Sequence, residues 1–173
     1  MKYLSILFII TLFFSSANSQ ENSSKKAVPS FVLKSANKGD IHVKETTGGV
    51  VFKELKDKVV VLSFIAYNGK PCINLIKILN EMKKKHKDFD AFAVEMRKLE
   101  GDSLRDYAKE KKIDFPIIGY KNAKEFTTYI AQKAGWNGTM PFILILDKKG
   151  EVQYLQIGLI PIEEFEKAYQ KLK

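Results

Sequence analysis

One stretch of this chain, Val59 to Ile65, constrains the fold more than any other. Its sequence, VVVLSFI, is apolar at every position except Ser63. A strand of this kind is covered on both faces, as in a parallel or mixed sheet. Phe142 to Leu146 has the same character, and Phe89 to Met96, which contains Asp90 and Glu95, is predicted as another strand. We therefore predict a buried central sheet.

Helices are predicted between and after these strands. Leu75, Leu79 and Met82 recur at helical spacing after the first strand. Further helices are predicted from a cap at Asp102-Ser103 to about Lys112, from Ala123 to Ala134, and from Pro161 onward. Shorter strands are predicted at Phe31–Leu33, Ile41–Val43, Val50–Phe52 and Val152–Ile157, with a hairpin turn at Gly48-Gly49 and a tight turn at Asp147–Gly150. This order predicts an α/β sandwich with helices on both faces of a mixed sheet.

The first twenty residues, MKYLSILFIITLFFSSANSQ, have the build of a secretory signal. One lysine precedes an apolar run from Tyr3 to Phe14, and small polar residues follow it. The run is shorter than the roughly 20 residues that span a bilayer, and an uncleaved signal-anchor is the alternative. We expect a signal peptide over residues 1–19, a flexible leader over 20–28 and one domain over 29–173. The expected location is periplasmic or secreted, with no integral membrane segment after cleavage.

The chain is basic, with 29 Lys and Arg against 20 Asp and Glu. Its lysines are spread over predicted helices, and the run Lys83-Lys84-Lys85-His86-Lys87 contains no aromatic residue on which a base would stack. We interpret this run as a solvated helix end and expect no nucleic-acid partner. We predict no cofactor. His42 has no second ligand nearby in sequence, and His86 extends the apolar helix face as a packed residue, so no metal site is predicted.

The chain has a single cysteine, Cys72, at the point where the buried strand gives way to a helix. Exported domains often contain paired cysteines that form disulfides. A single thiol forms no internal disulfide. Cys72 is therefore a buried thiol, or it reacts with a sulfur from another molecule.

The order of these elements and several motifs resemble the thioredoxin superfamily, in particular the exported TlpA/ResA-like thiol-disulfide oxidoreductases. FIAYNGKPC, residues 64–72, resembles that family's F-W-A-x-W-C-x-P-C motif. The segments DIHV at 40–43, LKDKVV at 55–60, IDFP at 113–116 and GTMPFILILDKKG at 138–150 resemble its other motifs. The resemblance implies a thioredoxin-like fold with an N-terminal hairpin.

The resemblance fails at the reactive site. The family's second cysteine corresponds to Cys72, whereas the first corresponds to Gly69, with Lys70 and Pro71 between them. In such enzymes the first cysteine is the nucleophile, because the helix N-terminus stabilises its thiolate. This degenerate G-x-x-C site cannot run a two-cysteine redox cycle.

Two interpretations of Cys72 follow. It is an inert core thiol, since free cysteine is often buried. Alternatively it is a one-thiol site whose pKa is lowered in the first helical turn, which would form a mixed disulfide with a partner or react with a peroxide. Gly69 replaces the threonine of the related peroxiredoxins, and no P-x-x-x-T precedes the thiol, which weighs against a peroxidase.

Met140-Pro141 corresponds to the family's cis-proline, which lies beside the active site. The resemblance implies a cis bond here and a backbone that binds an extended substrate segment; an ordinary trans proline is the alternative. Trp136 is equally a packing anchor or part of a binding rim. Glu95 or Glu100 corresponds to the acid beneath the family's cysteines, although a solvated carboxylate is the simpler interpretation of each.

Three functions remain open at this stage. The first is a one-cysteine member of the oxidoreductase family that acts through a mixed disulfide with a protein or peptide partner. The second is a non-catalytic module that binds a peptide or protein through the same groove. The third, supported least by the motifs, is a thiol peroxidase.

Overall fold

The computed structural model describes residues 28–173. The predicted signal segment, and the predicted leader except Val28, lie outside the described residues. The elements in chain order are β1 (Ser30–Ser35), β2 (Gly39–Glu45), β3 (Val50–Phe52), β4 (Val59–Ile65), α1 (Lys70–Lys85), β5 (Phe89–Glu95), α2 (Gly101–Glu110), β6 (Ile117–Gly119), α3 (Tyr120–Ala134), β7 (Phe142–Leu146), β8 (Val152–Ile157) and α4 (Ile162–Leu172), with a 3-10 helix (Lys53–Leu55) after β3.

A five-stranded sheet in the order β6-β5-β4-β7-β8 forms the centre of the domain. Its middle strand, β4, pairs parallel with β5 and antiparallel with β7, so the sheet is mixed. Val59, Val61 and Ile65 enter a core shared with α1, α2 and α4. Val60, Leu62 and Phe64 enter a second core on the opposite face, shared with α3 and the N-terminal sheet. Residues of β4 thus face the two cores in turn, and each core needs apolar side chains. This explains the apolar run that the sequence predicted to be covered on both faces.

The predicted N-terminal hairpin is present. β2 and β3 pair antiparallel, with Val43 opposite Phe52, and β1 pairs with the other side of β2. This three-stranded sheet covers the second core with Ile41, Val43 and Phe52. The chain therefore has the predicted α/β fold.

Three helix starts differ from the prediction. α4 begins at Ile162, and Pro161, predicted as its first residue, is its N-cap. α2 begins at Gly101, and Asp102 lies inside the first turn, where it is exposed and its carboxylate accepts a hydrogen bond from Arg105 at 2.6 Å. Asp102 is therefore not the cap that its residue type indicated. α3 begins at Tyr120, three residues before Ala123, because β6 ends at Gly119 and the chain becomes helical at the next residue.

Candidate functional site

Cys72 lies in the first turn of α1, directly after the loop that follows β4. Pro71 precedes it inside the helix, where its missing N–H is not needed. Only 2% of Cys72 is exposed, and its Sγ accepts a hydrogen bond from the Ala66 N–H at 3.3 Å. The sulfur therefore points into the core shared with α1 and not toward solvent.

Burial raises the pKa of the Cys72 thiol above its ordinary value. The negative charge of Glu95 raises the pKa further, while the hydrogen bond from Ala66 lowers it. The one-thiol interpretation required the helix N-terminus to lower this pKa. Burial acts in the opposite direction, and the pKa of Cys72 is raised, because an apolar environment disfavours the charged thiolate.

Gly69 is the N-cap of α1, with extended backbone angles (φ −81°, ψ 116°) that any residue adopts. A Cβ placed on Gly69 would lie 3.3 Å from the Sγ of Cys72. The two positions are therefore in direct contact, as the G-x-x-C alignment requires. Lys70 and Pro71 lie between them with exposed side chains.

Glu95 is fully buried at the end of β5, opposite Ile65 of β4. Its carboxylate accepts three backbone N–H groups, from Tyr67 at 3.2 Å, Arg97 at 2.8 Å and Leu99 at 2.8 Å. The solvated interpretation of Glu95 is therefore wrong. The carboxylate joins the loop after β4, which leads to Cys72, to the loop after β5.

Glu100 lies in a different environment. It is partly buried, and its carboxylate accepts the N–H of Lys121 at 2.8 Å. This contact satisfies one of the unpaired donors at the N-terminus of α3. Of the two acids that the sequence left open, the structure brings only Glu95 into the electrostatic environment of Cys72.

Two tyrosines that sequence reasoning did not assign to the site lie beside Cys72. The Tyr107 hydroxyl donates to the carbonyl of Tyr67 at 3.0 Å, and the two rings pack edge to face with centroids 6.2 Å apart. Burial, followed by the charges of Cys72 and Glu95, raises the pKa of Tyr107 to about 12. The contact of Tyr107 with the loop before Cys72 depends on how α2 packs, which the sequence alone does not specify.

Met140 and Pro141 immediately precede β7, and the peptide bond between them is cis. β4 and β7 are antiparallel and their pairing ends with Phe64 opposite Phe142, so Ala66, after β4, and Met140, before β7, lie at the same end of the sheet. Pro141 is buried and its carbonyl accepts the Gly158 N–H at 2.8 Å. Met140 is partly buried and packs against the same core as Cys72. The structure therefore brings Met140, Ala66 and Cys72 to one end of the central sheet.

Trp136 belongs to the opposite face of the sheet. Its ring stacks on Phe142 with centroids 4.9 Å apart and contacts Phe64, and its Nε1 donates to the Thr139 carbonyl at 2.8 Å. It packs against the second core, whereas Cys72 and Met140 belong to the first. These contacts are those of a packing anchor.

The two histidines have carboxylate partners. His42 Nδ1 lies 2.7 Å from Glu54, and His86 Nε2 lies 2.9 Å from Glu166, with the His86 ring 4.0 Å from that of Tyr169. Within residues 28–173, no group of three or more His, Cys, Asp or Glu side chains is arranged to hold a metal ion. No helix in the same range is long and apolar enough to cross a membrane.

A sequence model of the AhpC/TSA family matches residues 25–155, which is more than half of the chain. This chain belongs to the AhpC/TSA family. A search of curated protein sequences found no significant match. AhpC/TSA membership confirms the thioredoxin-superfamily resemblance that the motifs indicated.

Solved structures similar to this AhpC/TSA chain have a related fold. They include a thiol:disulfide interchange protein from Chlorobium tepidum TLS (17% identity, TM-score 0.58, 84% of this chain and 94% of that one). StoA from Bacillus subtilis matches at 18% identity with a TM-score of 0.55, over 80% of this chain and 95% of that one. The pneumococcal exposed lipoprotein thioredoxin Etrx1 from Streptococcus pneumoniae strain TIGR4 matches at 18% identity with a TM-score of 0.58, over 83% of this chain and 100% of that one. At these identities the likeness establishes the thioredoxin-like fold alone.

Proposed function

We propose that this chain is an exported thioredoxin-fold protein that binds an extended segment of a partner protein and does not run a dithiol redox cycle. One observation carries the proposal. The single cysteine of the chain is only 2% exposed, and its pKa is raised. A thiol in this state is neither accessible nor ionised enough to attack a disulfide at neutral pH.

The absence of an attacking thiol leads to the same conclusion. A dithiol reductase needs one thiolate to attack the substrate disulfide and a second thiolate to displace the reduced substrate from the resulting mixed disulfide. Gly69 provides no sulfur at the attacking position. Cys72 lies at the resolving position, and without an attacker it has no mixed disulfide to resolve.

The backbone beside Cys72 supports the binding part of the proposal. Met140 lies outside the ladder between β7 and β8, whose pairing begins at Phe142 opposite Ile157. Across residues 28–173, the backbone hydrogen bonds outside helices and strands do not engage the N–H or carbonyl of Met140. An added strand gains affinity from main-chain hydrogen bonds of this kind, and such binding needs no thiol.

Export is part of the proposal and is supported by the signal-like pattern of residues 1–19. A structural neighbour is described as an exposed lipoprotein thioredoxin, which is consistent with this compartment. The mixed-disulfide alternative requires a partner sulfur to reach Cys72. The thiol is buried beneath the loop at Ala66, which blocks such a sulfur. A mixed disulfide between Cys72 and a partner would therefore favour that alternative over the binding proposal.

The test uses a permanently unfolded, carboxymethylated polypeptide as the probe, because it offers extended backbone and no thiol. We expect Cys72→Ala to bind it within about twofold of the wild type. Met140→Lys should weaken binding at least tenfold, because the charged group cannot stay against the apolar core on which Met140 packs, and the backbone that the probe pairs with shifts as the side chain leaves. Val32→Lys is the matched control, since it adds the same charge at an exposed valine on β1.

A second arm of the test separates the two mechanisms. A probe that retains a disulfide should bind without forming any adduct that a reducing agent releases. Loss of binding in Cys72→Ala, or a reducible adduct at Cys72, would overturn the proposal.

A further inference from the structure

Three loops meet at the end of the central sheet where Cys72 lies. β4 and β5 are parallel, so the loops that follow them leave the sheet at the same end, and β7, antiparallel to β4, begins at that end. These loops, here called the site loops, are residues 66–70, 96–98 and 137–140. They contain no acidic residue and three cations, which are Lys70, Arg97 and Lys98.

Glu95 fixes two of the site loops side by side. Its Oε1 accepts the N–H of Tyr67 at 3.2 Å and the N–H of Arg97 at 2.8 Å, so the loops after β4 and β5 share one acceptor. Its Oε2 accepts the N–H of Leu99 at 2.8 Å. Between the last two donors, Lys98 has a left-handed backbone (φ 69°), which is uncommon for a residue other than glycine. The carboxylate therefore holds the backbone of both cations beside the site.

The charges of the three cations are available to a ligand. Each of the three residues is exposed, and within residues 28–173 none of them forms an ion pair. Other lysines, such as Lys38 and Lys83, pair with aspartates at 2.8 Å and 2.7 Å. Glu95 is fully buried, and three N–H groups offset its charge. The exposed surface of the site loops is therefore positive.

The N-terminus of α1 adds to this positive charge. Its N-cap, Gly69, makes no side-chain hydrogen bond, and its first turn has no acidic residue. The other α-helices of residues 28–173 each have a carboxylate at this place, which is Asp102 in α2, Glu100 bonded to the first turn of α3, and Glu163 in α4. Unpaired N–H groups at a helix N-terminus carry partial positive charge and favour an anion. The α1 N-terminus, which lacks such a carboxylate, lies beside Lys70.

We propose that the protein segment bound at Met140 is acidic, with Asp or Glu side chains over the site loops. This selectivity rests on the proposed function, because it gives the chemistry of the partner at the same site. The backbone of the segment pairs with Met140, while its carboxylates meet the three cations and the N-terminus of α1. A basic segment would meet like charges there. The site loops thus select among extended segments that backbone pairing alone would bind without regard to sequence.

The test measures binding of three cysteine-free peptides of equal length to the purified full chain. The peptides differ only at the same three positions, which are all Glu, all Gln or all Lys. Fluorescence anisotropy at low salt should show the Glu peptide binding about eightfold more tightly than the Gln peptide, because each exposed ion pair contributes about twofold. The Lys peptide should bind more weakly than the Gln peptide. Raising the salt from about 0.02 M to about 0.5 M should remove most of these differences.

Two double variants separate the site loops from the rest of the basic surface. Arg97→Gln with Lys98→Gln should weaken binding of the Glu peptide about fourfold and leave binding of the Gln peptide unchanged. Lys53→Gln with Lys56→Gln is the matched control. It removes the same charge from two exposed lysines that precede β4, at the opposite end of that strand from Cys72. The control should bind both peptides like the wild type.

The outcomes distinguish this selectivity from the proposed function. Equal binding of the Glu and Gln peptides would overturn the selectivity and leave the binding of an extended segment in place. An equal loss of Glu-peptide binding in the two double variants would also overturn it, because the preference would then follow from the net charge of +9 and not from the site loops. Binding of none of the peptides would overturn both proposals.

Discussion

Restoring a thiol at Gly69 is the most informative change that the site allows. The backbone at Gly69 is extended, so Gly69→Cys introduces no conformational strain. The new Cβ would lie 3.3 Å from the Sγ of Cys72. This contact is tight, so the Cys72 side chain must shift by a few tenths of an ångström, and a sulfur attached to that Cβ then lies close enough to bond to Sγ. We therefore expect a disulfide between residues 69 and 72 under oxidising conditions.

The expected reactivity follows from the position of the new thiol. Residue 69 is the N-cap of a 16-residue helix, and thiols in C-x-x-C sites at helix N-termini have pKa values near 7 instead of about 8.5. At pH 7 this change raises the thiolate fraction from about 3% to about 50%, an increase of roughly fifteenfold. A thiolate of lower pKa is also intrinsically less nucleophilic, by about fivefold for this change, so the reduced Gly69→Cys protein should be alkylated about threefold faster than an ordinary exposed thiol.

The matched control is Asn68→Cys, which places an exposed thiol one residue before the helix cap. Alkylation with iodoacetamide at pH 7 compares the two variants, and insulin reduction reports the gain of a dithiol cycle. We expect both fast alkylation and insulin reduction in Gly69→Cys alone. Equal alkylation rates in the two variants, or no disulfide with Cys72, would refute the assignment of these positions as a degenerate active site.

Two further predictions concern buried and paired carboxylates. Glu95→Gln replaces one acceptor oxygen with an NH₂ group, which leaves one of three backbone donors unpaired. Thermal unfolding followed by circular dichroism should show that the free energy of unfolding falls by about 2 kcal/mol and Tm by about 6 °C. Unchanged stability would contradict the structural role of Glu95. The contact with Lys148, together with a hydrogen bond from Tyr169, lowers the pKa of Asp88 from 3.8 to about 2. The ionised carboxylate therefore stabilises the folded protein above pH 4, and this stabilisation is lost as the pH falls through about 2. Asp88 is partly exposed, so urea unfolding should show Asp88→Asn less stable than the wild type by under about 1 kcal/mol at pH 5, with a smaller difference near pH 2, where the carboxyl is half ionised; a difference as large near pH 2 as at pH 5 would refute the electrostatic origin.

The central sheet was predictable because its strands face two cores. Apolar residues at every position of β7, and at every position of β4 except Ser63, have one simple explanation, burial on both faces, and the structure confirms it. Helix starts were less predictable, because residue type alone does not identify a cap. Asp102 has a good capping side chain, but the helix begins one residue earlier and its carboxylate pairs with Arg105 instead.

The site could be predicted only where it depends on chain order. Cys72 and Gly69 are three residues apart on one helix start, so their contact follows from sequence. The choice between Glu95 and Glu100 depends on the parallel register of β4 and β5, which places Glu95 opposite Ile65 at the end of the strand. Sequence periodicity does not specify that register. The burial of Cys72 depends on how the loop at Ala66 folds over the sulfur, and no local pattern indicates it.

Alkylation of Cys72 tests the central claim most directly. The chain has no other cysteine, so labelling of the wild-type protein reports this thiol alone. We expect labelling by iodoacetamide at pH 7 to be slow in the folded protein and to accelerate in step with unfolding by urea. In the folded protein the rate should also rise with pH only above the ordinary thiol pKa of about 8.5, because burial raises the pKa of Cys72. Fast labelling of the folded protein with a midpoint well below pH 8.5 would contradict the claim that Cys72 is an inaccessible thiol.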